Sequence, residues 1–167
     1  MDYEQFDPIS WNILAELQAD ARLSYAEIGR RVGLSTPAAA ERVRRLEESG
    51  VIEGYEARIN PDRIGLTVAA FIRIRLSGSE TLAKRLAELA AQTPEILECH
   101  RCTGDESFVL KVRVGSVEHL EKLIDRLTQF GMTSTSLILS SPVERTQPQV
   151  SRKPPSRGPK GESGGSV

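Results

Sequence analysis

From residue 8 to residue 50 the apolar residues recur every three or four positions, the spacing that puts them on one face of a helix. Ile9, Ile13, Leu14 and Leu17 form the first stripe. It is opened by Asp7-Pro8, a carboxylate that can cap followed by a proline suited to a first turn. Trp11 falls off the centre of this stripe and is read as a packing or interface residue. Ile28 and Val32 form a second stripe. Ser24 and Glu27 have the spacing of a capping box before it, Leu23 is placed to staple onto Ile28, and Gly33 can end the helix in the left-handed conformation. Ser35 starts a third helix at once, with Pro37 in its first turn and Ala39, Val43 and Leu46 on one face. Ser49-Gly50 stops it.

The period then changes. Val51 to Ile59 alternates apolar with polar residues, as an extended wing or hinge strand would, and Asn60-Pro61-Asp62 is a turn signal. Ile72, Ile74 and Leu76 alternate with Arg73 and Arg75 along a strand over residues 70–76. A helix carries Leu82, Leu86 and Leu89 and ends before Thr93-Pro94. A strand over 96–103, a turn at Gly104-Asp105-Glu106 and a strand with Phe108, Leu110, Val112 and Val114 come next. A helix with Val117, Leu120, Ile124 and Leu127 precedes a last strand over 133–140, with Leu137 and Leu139 on one side. The order is βαββαβ, the split βαβ or ferredoxin-like unit, so the chain is read as α+β. Its two helices cover one sheet face, and the other face calls for a partner, which makes dimerisation the expectation.

Four segments result: a helical domain over 1–50, a wing or hinge strand and linker over 51–62, the ferredoxin-like domain over 63–140, and a Pro/Gly/Ser-rich basic tail over 141–167 expected to be disordered. Charge divides along the same lines. Residues 1–60 carry seven Arg against eleven acids, 61–140 ten basic against ten acidic residues, and 141–167 five against two. A net −4 on residues 1–60 argues against a general polyanion binder. It permits one whose positive charge is concentrated on a single surface.

Such a surface lies on the third helix. Thr36, Pro37, Ala38, Arg42 and Arg45 point largely away from its apolar stripe, with Arg44 close by. Two short helices joined by a tight turn, the second with exposed Arg, have the form of a helix-turn-helix. Its second helix enters the DNA major groove, where the planar Arg fork grips phosphate or the O6/N7 edge of guanine. An ordinary helical hairpin with a solvated charged face fits the same spacing.

Other chemistry finds little support. No run approaches the ~18 apolar residues of a membrane span, and the acidic start is unlike a secretory signal, so a cytoplasmic protein without membrane partners is expected. Cys99 and Cys102 flank His100-Arg101 with redox or metal spacing, but on a strand they face opposite sides and no second pair completes a zinc site, so they are read as structural thiols. His119 has no matched nucleophile. No metal, cofactor or catalytic constellation is expected, and the protein is not read as an enzyme.

Glu41-Arg-Val-Arg-Arg-Leu-Glu47, Gly50-Val-Ile-Glu-Gly-Tyr55, Asn60-Pro61, Glu98-Cys-His100 and Thr103-Gly104-Asp105 together resemble the Lrp/AsnC, or feast/famine, regulators, most of all the leucine-responsive branch. The resemblance spans roughly Phe6 to Ser140. It implies a winged helix-turn-helix, a hinge strand and a ligand-sensing ferredoxin-like domain, in dimers that assemble further, often to octamers. It implies double-stranded operator DNA as partner, with contacts on Tyr25, Ser35, Thr36, Pro37, Ala38, Arg42, Arg44 and Arg45. It further implies a small-molecule effector, an amino acid or a relative of one, bound between protomers near Thr103, Gly104, Asp105, Ser107, Thr135 and Ser136. In the family's Gly-Asp-aromatic-Asp-aromatic loop, this chain keeps Gly104, Asp105 and Phe108 but has Ser107 in place of the second acid. Sirohaem decarboxylases share the two-domain plan, so an enzyme of that kind is the alternative. A sensor whose helical module contacts protein is a third reading.

Overall fold

The computed structural model describes residues 7–77, 80–144, 147, 148 and 150. It contains helices α1 (Pro8–Ala19), α2 (Tyr25–Val32) and α3 (Thr36–Glu48), a 3-10 turn (Pro61–Ile64), then β1 (Val68–Leu76), α4 (Glu80–Ala91), β2 (Ile96–Arg101), β3 (Phe108–Val114), α5 (Val117–Thr128) and β4 (Gly131–Leu137). The chain divides into two compact units between Ala57 and Arg58, and each is described separately.

In the helical unit the expected caps are present. Asp7 accepts from the Ser10 N–H at 2.8 Å, Ser24 from Glu27 at 3.2 Å and Ser35 from Ala38 at 3.4 Å. Each occupies a backbone donor that a first helical turn leaves free. The Glu27 carboxylate is taken by Arg30 and Arg31 instead of the Ser24 N–H, so only the Ser24 half of the expected capping box forms. Ile13, Leu14, Leu17, Ile28, Ala39, Val43 and Leu46 form the core, with Ile9, Trp11 and Leu23 packed against it. The turn between α2 and α3 depends on Gly29 as well as on left-handed Gly33 (φ 76°). A Cβ on Gly29 would lie 2.6 Å from the Leu34 carbonyl oxygen, closer than non-bonded atoms can approach. Any side chain there would push the two helices apart.

Among the described residues, 51–59 pair with no strand of this chain. Val51 and Ile52 donate to the Leu46 carbonyl and pack on the helical core, and no ladder forms beyond them. Alternation can mark a segment as extended, but a strand also needs a neighbouring backbone to pair with.

The second unit is a four-stranded sheet in the order β2-β3-β1-β4, with every neighbouring pair antiparallel. With two helices on one face, this is the ferredoxin-like arrangement. Ala70, Ile72, Ile74, Phe108, Leu110, Val112 and Val114 meet Ala83, Leu86, Leu120, Leu123, Leu127 and Phe130 in a continuous core. The register places Thr133, Thr135 and Leu137 opposite core-facing residues of β1. Met132, Ser134 and Ser136 lie opposite Arg75, Arg73 and Phe71 on the other face. β4 begins two residues earlier than expected because Gly131 can enter where no Cβ fits: one there would meet the Arg75 carbonyl oxygen at 2.1 Å. It also ends earlier, leaving Leu139 fully exposed. The expectation of a disordered tail falls mostly on residues outside those described.

Candidate nucleic-acid interface and effector loop

α3 displays a charged outer surface. Its apolar stripe is buried and the Ser35 hydroxyl takes the Ala38 N–H, so Thr36 and Pro37 are exposed at a helix N-terminus, whose dipole favours an anion. Ala38 is half-buried. Tyr25 opens α2 and is exposed. The phenol of Tyr55 donates to Glu47 at 2.8 Å, and burial together with that carboxylate pushes its pKa up to about 12.

The arginines divide. Arg44 contacts Glu41 and Glu48, and Arg45 contacts Glu41 at 2.9 Å, so one carboxylate serves two outward guanidinium groups. Arg44 and Arg45 together hold Glu41 below the usual carboxylate range, and Glu41 in turn raises Arg44. These are exposed pairs within a single helix, of the kind that contributes little stability and can be exchanged for phosphate. Arg42 is different. It was expected on the outward face beside Arg45, but it is half-buried and turned toward α1, 2.6 Å from the Asp7 carboxylate and 3.3 Å from the Ser10 hydroxyl. This corrects its expected orientation. On the α3 wheel Arg42 lies between the outward line and the buried stripe, and the capping carboxylate of α1 draws it inward. Burial raises the pKa of Asp7, but the Ser10 N–H and Arg42 outweigh it and hold the carboxyl below its ordinary value. Glu41 was not singled out as a site residue, although its i+3 and i+4 spacing to Arg44 and Arg45 marked it as their partner.

In the second unit the loop between β2 and β3 is pinned at its base. Ser107 is central: its N–H donates to the Ile74 carbonyl at 2.9 Å, its carbonyl accepts from Cys102, and its hydroxyl accepts from the Leu76 N–H at 3.2 Å. The residue that replaces the family's second acid thus fastens the loop to β1. Gly104 takes a positive φ of 106° at the tip, and the Asp105 side chain is 95% exposed. Two β1 arginines face the loop. Arg75 donates to the Asp105 carbonyl at 3.0 Å, with its guanidinium 4.0 Å from the carboxylate, and Arg73 lies 3.6 Å from Glu106 and donates to the Ser136 hydroxyl at 3.0 Å.

Thr103, Gly104, Asp105 and Ser107 are therefore gathered in one loop, and Ser136 joins it through Arg73. Thr135 does not join it, because it faces the opposite side of β4, across from Ile72. Arg73, Arg75 and Glu106 were not counted among the site residues. The alternation of β1 had already placed both arginines on the face away from the core.

Among the described residues no group of His, Cys, Asp and Glu could hold a metal ion, and no helix is long and apolar enough to cross a membrane. Cys99 packs on the core, where burial pushes its thiol pKa up, and Cys102 lies beyond the end of β2.

A helix-turn-helix whose second helix turns Arg44 and Arg45 outward, in a chain that also holds a ferredoxin-like domain with a pinned polar loop, is the plan of a two-module DNA-binding regulator. Residues 6–53 match a winged helix-turn-helix DNA-binding model, and residues 69–148 match the Lrp/AsnC ligand binding domain. The chain is 42% identical over 135 residues to the HTH-type transcriptional regulator YezC of Bacillus subtilis, covering 81% of this chain and 94% of that one. It is 38% identical over 143 residues to the HTH-type transcriptional regulator LrpA of Mycobacterium tuberculosis, covering 83% and 93%. Its fold matches the crystal structure of a transcriptional regulator–L-Met complex from Neisseria meningitidis with a TM-score of 0.81 and 25% identity, over 85% of this chain and 95% of that one. The chain belongs to the Lrp/AsnC family of DNA-binding transcriptional regulators.

Proposed function

We propose that this regulator binds specific operator DNA through α3 and changes that binding in response to an amino acid or a close chemical relative. The observation that carries the reading is the division of the α3 arginines. Arg42 braces the unit from within, while Arg44 and Arg45 stand outward on loose intrahelical pairs that phosphate or a guanine edge can replace. Ser35, Thr36, Pro37 and Ala38 approach the backbone and base edges at the helix start.

The effector site is the 103–107 loop. Gly104 presents a backbone N–H suited to a carboxylate, Asp105 an acid suited to an ammonium group, and Arg75 lies beside Asp105. A zwitterion meets complementary charges there. An amino acid in the neighbour from Neisseria supports this class of ligand. Ser107 supplies fixed loop geometry rather than charge. The polar sheet face bearing Arg73, Lys111 and Ser136 is the surface through which two copies pair, and further pairing to an octamer completes the assembly. The protein acts in the cytoplasm and has no catalytic role. Ligand binding shifts the assembly or the spacing of the two recognition helices, by no more than its difference in affinity for the two states.

A mobility-shift titration on the DNA upstream of the gene, with excess unrelated competitor and a panel of amino acids, tests both parts. Competitor-resistant binding that one amino acid shifts is the expected result. Binding that competitor abolishes under every condition would refute sequence-specific regulation. If selective binding is unaffected by any amino acid, the effector assignment fails.

A further inference from the structure

Helical geometry orders the outer face of α3. Ala39, Val43 and Leu46 define its buried side. At the pitch of an α-helix the line opposite them runs through Pro37, Glu41 and Glu48, with Arg44 and Arg45 to either side. The middle of the surface that faces away from the core is therefore acidic. Glu41 stands in the second turn, toward the end from which a recognition helix meets base edges, whereas Glu48 closes the far end.

The surroundings of Glu41 are ordered. Arg44 donates from Nη2 to Oε1 at 2.8 Å and to Oε2 at 2.7 Å, and from Nε to Oε2 at 3.1 Å. Arg45 donates from Nε to Oε1 at 2.9 Å. The two guanidinium groups fold over the carboxylate, whose side chain is 41% exposed against 56% and 74% for theirs. Beside two cations Glu41 stays ionised, and an ionised carboxylate can only accept hydrogen bonds. On a surface that meets DNA such a group is unfavourable unless the DNA donates to it.

The base edges of the major groove offer two such donors, the N6 amino group of adenine and the N4 amino group of cytosine. Adenine's lies between two acceptors, its own N7 and thymine O4, which repel a carboxylate. Cytosine's lies beside the O6 and N7 of its guanine partner, which suit an arginine. A G·C pair thus presents acceptors and a donor side by side, the complement of an arginine and a glutamate on one helix face. An arginine that leaves Glu41 for guanine also frees carboxylate lone pairs for the cytosine.

We propose that Glu41 is a specificity-determining residue that accepts from the N4 amino group of an operator cytosine, with Arg44 or Arg45 on a guanine beside it. This rests on the DNA-binding reading above, and the test separates the two.

The full chain and its Glu41→Ala and Glu41→Gln variants are each used to enrich bound duplexes from a pool of random-sequence DNA. Glu41 lies outside the core, so both variants should fold. The parent should fix a cytosine at one position of each half-site. Glu41→Ala should lose that preference and keep the others, and Glu41→Gln should turn the position toward adenine, whose N6 and N7 fit an amide. The same base preferences in the parent and in Glu41→Ala would overturn the proposal.

In the enriched duplex that cytosine is then replaced by an analogue lacking the N4 amino group. Affinity should fall roughly fivefold or more for the parent, Arg44→Ala and Arg45→Ala, and stay unchanged for Glu41→Ala. If Glu41 merely positions the arginines, all four proteins respond alike to the analogue, and direct readout is refuted. An enriched operator with no such cytosine sinks the proposal alone. A parent that enriches no sequence sinks the regulator reading as well.

Discussion

The outer face of α3 and the 103–107 loop both present charge, yet they are built in opposite ways. On α3 the backbone is held by the Ser35 cap and by the buried stripe of Ala39, Val43 and Leu46, and the outward Arg44 and Arg45 pair with glutamates of the same helix. On the loop it is the backbone that needs fastening. Ser107 supplies three hydrogen bonds, and Arg73 and Arg75 add contacts from β1. A helix can leave its side chains free for a long polyanion because its own hydrogen bonds fix their positions. A loop that must fit a small molecule has to obtain that fixity from neighbouring elements.

The comparison can be broken most severely through the cores. Ile72→Ala removes a fully buried side chain from the sheet unit and should cost about 2–5 kcal/mol. In a calorimetric scan that loss should lower the transition of the sheet unit and leave the helical one in place. A common shift of both would show that the units do not fold separately. Arg45→Ala should leave both transitions unchanged and cost about 1–3 kcal/mol of operator affinity if the contact is to a base. A phosphate contact would instead appear as a salt slope shallower by about one.

Ser107→Ala sharpens the contrast at the loop. It should cost about 0.5–1.5 kcal/mol of stability by removing the bond to Leu76, and it should weaken any amino-acid response while operator affinity without effector is retained. Full response in a destabilised variant would show that the loop need not be pinned to work. Arg42→Ala should cost only about 0.5–1 kcal/mol, read as a lower transition of the helical unit, because its pair with Asp7 is partly exposed.

The smallest effect is a pH dependence. Arg30 and Arg31 hold Glu27 down to about 2 from an ordinary 4.5. An acid depressed in the folded state stabilises it at any pH above 4.5, and that contribution is lost as pH falls toward 2. Glu27→Gln should therefore flatten the acid limb of unfolding between those values, followed by circular dichroism. An unchanged limb would mean that the pair persists in the unfolded chain.

Features set by near neighbours were legible in the sequence. The three caps, the Gly33 stop, the alternation of β1 and β3 and the βαββαβ order all depend on residues a few positions apart. Arg42 was misjudged because its partner Asp7 lies 35 residues away, at the end of a helix whose packing angle no local pattern reveals. Over 51–59 alternation describes a single strand while a ladder requires two, and among the described residues no segment of this chain pairs with it. Ser107 looked like a lost charge because its partner, the Leu76 N–H, is 31 residues distant. Thr135 and Ser136 were grouped by resemblance, although neighbouring strand residues face opposite sides. That much could have been read from the sequence.

The central claim is that α3 reads DNA with Arg44 and Arg45 while Arg42 braces the unit from behind. Anisotropy titrations of the Arg42→Ala, Arg44→Ala and Arg45→Ala proteins on one operator duplex, well below their melting temperatures, test it most directly. The account predicts affinity close to that of the parent for Arg42→Ala and a clear loss for at least one of the other two. Loss confined to Arg42→Ala, with Arg44→Ala and Arg45→Ala unaffected, would contradict it.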